Sequence, residues 1–139
     1  MSHRKYQKNG FTLVELIVVL AILALLAGVA GPRIMSVFTK ANGKVALTQI
    51  KDFETALDLY RLDIGHYPTS EEGGLEALNK GSSSRWNGPY LKGKGIPLDP
   101  WGFKYHYANP GQQGAYDLYT LGADNQQGGE KENKDIKVY

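Results

Sequence analysis

The 139-residue sequence contains no cysteine, which removes disulfides, thiolate zinc sites and thiol nucleophiles together. Histidine is nearly as scarce, and His3, His66 and His106 share no metal-ligand spacing. There is no phosphate-cradling glycine loop and no nucleophile elbow, so no recognisable catalytic motif is present. Acid is missing before Glu15, whereas Arg4, Lys5 and Lys8 crowd the opening. Those cations exceed the formal net charge of +2, so the rest of the chain carries about −1. The basicity therefore belongs to a leader and not to a nucleic-acid-binding surface.

What the chain does have is one concentrated apolar run. Phe11 to Gly31 holds a single charge, Glu15. At 1.5 Å of rise per residue, about 21 residues cross the hydrocarbon core of a bilayer. The cations ahead of the run keep its N-terminal side in the cytoplasm. A competing reading is an ordinary secretory signal cut after Ala30, in Gly28-Val29-Ala30, releasing a secreted enzyme or binding module. Against it stand the length of the run and Glu15, because a carboxylate near hydrocarbon is costly and by default marks function. The mature N-terminus, Phe11 or Gly31, separates the two readings.

Asn9-Gly10-Phe11-Thr12-Leu13-Val14-Glu15, behind a short basic leader and ahead of an apolar helix, resembles the class III signal of type IV pilins and type II secretion pseudopilins. The resemblance implies that a membrane aspartyl peptidase, the prepilin peptidase, cuts between Gly10 and Phe11 and methylates the new amine of Phe11. Glu15 then has a use. A carboxylate in apolar surroundings needs a partner, and the Phe11 amine of a neighbouring subunit supplies one, so the pair sets axial register during assembly.

From Pro32 the pattern becomes amphipathic. Gly31-Pro32 predicts a kinked or loosened helix, and Asn42-Gly43 a second soft point. Phe38, Ala41, Val45, Ala46, Ile50, Phe53, Leu57 and Tyr60 recur at helical spacing and predict one apolar stripe. A continuous helix is thus expected from Phe11 to about Asp63, stopped by Gly65 and Pro68. Ser70-Glu71-Glu72 reads as the N-cap of a short helix running to about Asn79. Phe103 to Tyr107 and Ala115 to Leu121 predict an antiparallel hairpin, and Gly122 to Lys137 reads as loop. Trp86, Trp101 and the tyrosines are expected in the core.

The expected organisation is a leader over residues 1–10, a transmembrane or filament-core helix over 11–33, its amphipathic half over 34–63, and a globular domain over 64–139. So small a globular part is marginal without a staple. Type IV pilins usually carry a disulfide there. Its absence tilts the resemblance toward pseudopilins.

Further motifs narrow it. Ala56-Leu57-Asp58-Leu59-Tyr60-Arg61-Leu62-Asp63 leading to Tyr67-Pro68-Thr69, then Gly74-Leu75-Glu76-Ala77-Leu78, Asp99-Pro100-Trp101-Gly102-Phe103 and Asp117-Leu118-Tyr119-Thr120-Leu121-Gly122-Ala123-Asp124 follow in order. Together they resemble the major pseudopilin family of type II secretion, general secretion pathway protein G. The resemblance implies an α+β pilin-like fold and a structural, non-enzymatic subunit. Such a subunit is anchored in the bacterial inner membrane by a single pass, with its globular domain in the periplasm. It polymerises into a helical pseudopilus with minor pseudopilins, driven from an inner-membrane assembly platform, and pushes exoproteins through a secretin. A type IV pilin or a minor pseudopilin is the near alternative.

The resemblance also implies calcium in the loop after the last long strand. Carried over, its ligands are the Leu121 carbonyl and the side chains of Asp124 and Asp135, with Asn133 as a further donor. Calcium takes six to eight oxygens in such a loop. This chain departs from the family pattern near Lys134 or Asn133, where a further acid is usual, with Glu130, Glu132 and Asn133 as candidate replacements, and in its final Ile136-Lys137-Val138-Tyr139. The alternative is a solvated loop with scattered acids.

Overall fold

The computed structural model describes residues 10–138, so of the expected leader only Gly10 lies within the described residues. The long helix is present as α1, Leu13–Ile64, 52 residues. It continues through both expected soft points, Pro32 and Asn42-Gly43. The chain divides into two compact units, one ending at Val37 and the other beginning at Phe38.

In the first unit α1 is apolar on every side and covered on none. The most apolar 18-residue stretch of the helix is 0% buried, and Leu16, Leu20, Leu23 and Leu26 each expose about half of their surface or more. A helix hydrophobic all round is a membrane span or the centre of a larger assembly.

In the second unit α1 turns one stripe inward: Ala46, Ile50, Phe53, Ala56, Leu57, Tyr60 and Ile64 are buried. The expected stripe is partly corrected, because Phe38, Ala41 and Val45 stay exposed. Each residue advances about 100° around a helix, which puts Val45 on a neighbouring arc from Ala46. Gly65, at φ 103°, ends the helix, its N–H donating to the Arg61 carbonyl at 2.8 Å. A left-handed residue at this position is the standard way to stop a helix, and glycine adopts it without a Cβ clash. The Arg85 guanidinium donates to the Ile64 carbonyl at 2.7 Å and satisfies a backbone acceptor that the helix leaves open.

The short helix expected from Ser70 to Asn79 is instead a 3₁₀ helix, Gly74–Leu78, preceded by turns. The cap lies at Thr69: its N–H donates to Glu72 Oε2 at 2.8 Å, and Glu72 N–H donates back to Thr69 Oγ1 at 3.3 Å. The threonine thus takes the role expected of Ser70, closing a Thr-x-x-Glu box around a turn.

Three strands follow, β1 His106–Ala108, β2 Asp117–Thr120 and β3 Ile136–Val138, in one antiparallel sheet of order β1-β2-β3. The expected hairpin is there, but β1 starts later than Phe103. Asp99 is the reason: its carboxylate accepts from the N–H groups of Trp101 and Phe103, and its own N–H donates to the Phe103 carbonyl, winding residues 99–103 into a turn. β3 lies where a loop was expected. The core joins the inward stripe of α1 to Leu75, Leu78, Leu91, Tyr105 and Leu118, with Trp86 and Tyr90 against it. Trp86 Nε1 donates to the Ala77 carbonyl at 2.8 Å, and the Tyr90 hydroxyl to Asp63 at 2.8 Å.

Candidate assembly site

Gly10, Phe11 and Thr12 precede α1 without regular structure. Phe11 is 91% exposed, and a Cβ built on Gly10 would meet no atom within 4 Å. The Gly10–Phe11 peptide bond thus lies ahead of α1, whereas the alternative cut after Ala30 falls inside it.

Glu15 sits in the first turn of α1. Thr12 N–H donates to its Oε2 at 2.9 Å, and Glu15 N–H donates to Thr12 Oγ1 at 3.2 Å. This is a reciprocal capping box: two of the N–H groups that a helix start leaves without partners are satisfied, and the negative charge lies at the positive end of the helix dipole. The lone charge marks Glu15 in the sequence and leaves Thr12 unremarked, although the Thr-x-x-Glu spacing is itself a signal for it. Beyond the cap the exposed apolar surface of α1 begins. The site offers one capped carboxylate at the start of an exposed apolar cylinder, which suits lateral association.

The second site expected from the sequence is the loop between β2 and β3. Its backbone is closed on itself. Ala123 N–H donates to the Glu132 carbonyl at 2.8 Å, and a Cβ on Gly122, at φ 73°, would stand 2.7 Å from that same oxygen. Leu121 is buried, and Asp124 Oδ1 accepts from Gln126 N–H at 3.1 Å. Glu132 turns to the Thr39 hydroxyl at 2.7 Å, and Asn133 contributes its backbone to the 3₁₀ turn Lys131–Asn133. Asp135 Oδ2 lies 3.3 Å from Lys137 Nζ, and Lys134 lines the same shallow depression. Asp135 Oδ1 is buried without a hydrogen bond. Among the described residues no three histidine, aspartate or glutamate side chains gather at metal-holding distances. Calcium needs several anionic oxygens aimed at one point. Here the Asp124 carboxylate caps its own turn, and Asp135 has one oxygen beside Lys137 and the other buried without a partner.

His66 and His106 are not brought together: His66 lies 3.6 Å from Glu72, and His106 stacks on Tyr119.

Residues 33–139 match the family described as type II secretion system, protein G, and residues 5–31 match the prokaryotic N-terminal methylation motif. The chain belongs to the type II secretion system protein G family. It is 43% identical to the type II secretion system core protein G of Pseudomonas aeruginosa, over 96% of each chain. Identity to the core protein G of Vibrio cholerae is also 43%, over 94% of this chain and 90% of that one. The crystal structure of the major pseudopilin from the type 2 secretion system of enterohaemorrhagic Escherichia coli superimposes with a TM-score of 0.56 at 32% identity, covering 74% of this chain and 90% of the other. The α+β pilin-like fold read from the sequence is thus the fold of the family. The methylation motif implies processing by a prepilin peptidase and assembly into a pseudopilus.

Proposed function

We propose that this chain is the major structural subunit of a type II secretion pseudopilus, carrying out no bond chemistry of its own. The observation that carries the reading is α1: an apolar helix start with no covering side chains, charged only at Glu15, joined to a domain with its own core. In this reading residues 1–10 are removed and Phe11 becomes the methylated first residue. Residues 11–33 first cross the inner membrane and then form the fibre core, while the domain over residues 64–139, reached through the amphipathic 34–63, stands in the periplasm. Minor pseudopilins and the inner-membrane assembly platform are its partners.

Glu15 is the switch between the two environments. In a lone subunit its carboxylate is held by Thr12, a polar arrangement that still costs energy near hydrocarbon. In the fibre the methylated amine of a neighbouring Phe11 offers a full opposite charge. Apolar packing between helices supplies adhesion without sequence register, and the ion pair supplies the register.

Co-expression with a type II secretion gene cluster lacking its own major pseudopilin tests this. The chain should restore exoprotein release and form periplasmic fibres, with cysteine pairs placed at Leu16 and Leu20 cross-linking neighbouring subunits. Processing and membrane insertion without fibres or secretion would instead assign a minor-subunit role.

A further inference from the structure

We propose that the loop between β2 and β3 is fastened by a metal-free clamp, the row His106, Tyr119, Lys137 and Asp135, so that the domain is stable without calcium. The row crosses the whole sheet. His106 stands directly opposite Tyr119, and Tyr119 directly opposite Lys137. The imidazole stacks on the phenol ring with centroids 4.9 Å apart and planes 11° from parallel. Lys137 Nζ lies 5.4 Å from the centroid of the same ring and 3.3 Å from Asp135 Oδ2. Directly opposed side chains are the unit by which antiparallel strands hold one another, and a cation over an aromatic ring adds to that contact.

The clamp and an ion compete for one carboxylate. Asp135 is only 11% exposed as a side chain, and the charge within reach of it is the Lys137 ammonium, with Lys134 beside the same depression. A divalent cation at Asp135 Oδ2 would have to displace Lys137 from its place between ring and carboxylate, which leaves the buried, unpartnered Oδ1 as the one Asp135 oxygen open to it. Of the other acids of the loop, Asp124 is engaged with Gln126 and Glu132 with Thr39, while Glu130 is exposed. A disulfide is excluded by composition, and β3 is three residues long, so strand pairing alone secures little. The row ties β3 to β1 through β2 by side chains, and the carbonyl contacts at Gly122 close the loop behind it.

The test is thermal unfolding of the full chain in detergent micelles, with millimolar calcium and with a chelator. The wild-type midpoint should move by no more than about 1 °C between the two. Lys137→Met, which keeps the stem and removes the charge, and Asp135→Asn should each lower it by about 4 °C or more. The double variant should fall by clearly less than the two singles combined, because each single already breaks the same pair. A calcium-dependent rise of several degrees in the wild type, lost in Asp135→Asn, would overturn the proposal, as would strictly additive variants. Terbium, a luminescent stand-in for calcium, gives a readout that needs no variant to fold. Absence of saturable sensitised emission from the wild type is expected, and saturable emission contradicts the clamp.

Discussion

Asp99 is 4% exposed, and its carboxylate accepts from the N–H groups of Trp101 at 3.0 Å and Phe103 at 2.8 Å and from the buried Thr120 hydroxyl. A buried charge is tolerated only when donors surround it, and here two backbone groups and a hydroxyl do so. Asp99→Ala should lower stability by about 3 kcal/mol in denaturant unfolding, because it strands a buried hydroxyl and releases the turn. Asp99→Asn should cost less, and a loss as large as alanine's would mean that charge, not hydrogen bonding, holds the turn. At Glu15 the observed cap and the proposed assembly role overlap, and glutamine separates them. Glu15→Ala removes both the cap and the charge, whereas Glu15→Gln keeps a side chain able to close the box. Both should be processed at Gly10-Phe11, and both should lose most of the subunit recovered in sheared fibres. Wild-type fibre yield from Glu15→Gln would leave Glu15 with a capping role only. Of these residues the sequence exposed Glu15, since a lone charge in an apolar run stands out. It hid Asp99, whose burial depends on Thr120 far along the chain.

Among the elements, α1 and its stop are set by local chemistry, which makes them sensitive to single changes. At Gly65 a Cβ would meet no atom within 4 Å, so Gly65→Ala should cost only backbone strain, about 1 kcal/mol. At Gly122 a Cβ would press on the Glu132 carbonyl at 2.7 Å, so Gly122→Ala should be clearly more destabilising in the same assay. Equal losses would show that the loop gives way freely. Local chemistry is also what made α1 readable from the sequence: a period repeated over many turns, a glycine, then a proline. Strands were read less well. Phe103 has the composition of a strand residue, but the Asp99 turn claims it, and β3 has a charge at its centre and a partner strand distant in sequence. The expected calcium ligands came from resemblance, and the lysines that answer Asp135 were visible as departures whose geometry only the fold reveals.

For the whole molecule, there is no cysteine to close the domain, and tyrosines are prominent in its packing. Tyr105, Tyr107 and Tyr116 belong to or border the core, and burial raises all three hydroxyls, Tyr116 being pushed up to about 12. Tyrosines of an unfolded chain ionise near 10. Above that pH the unfolded state gives up protons that the folded state keeps, so stability is full below about pH 10 and falls as pH rises toward and beyond 12. Unfolding midpoints should therefore drop steeply above about pH 10, with the tyrosinate absorbance of the buried rings appearing together with loss of fold. Free titration of all nine tyrosines in a folded chain would contradict this packing. The central claim is that α1 is made to leave the membrane as a fibre core, and its first requirement is a particular chain end. Intact mass of the protein purified from cells with a type II prepilin peptidase tests it most directly. The account predicts a chain beginning at Phe11 and carrying one added methyl group, and the unprocessed chain when the peptidase is deleted. A chain beginning at Gly31, or one whose length ignores the peptidase, would contradict it.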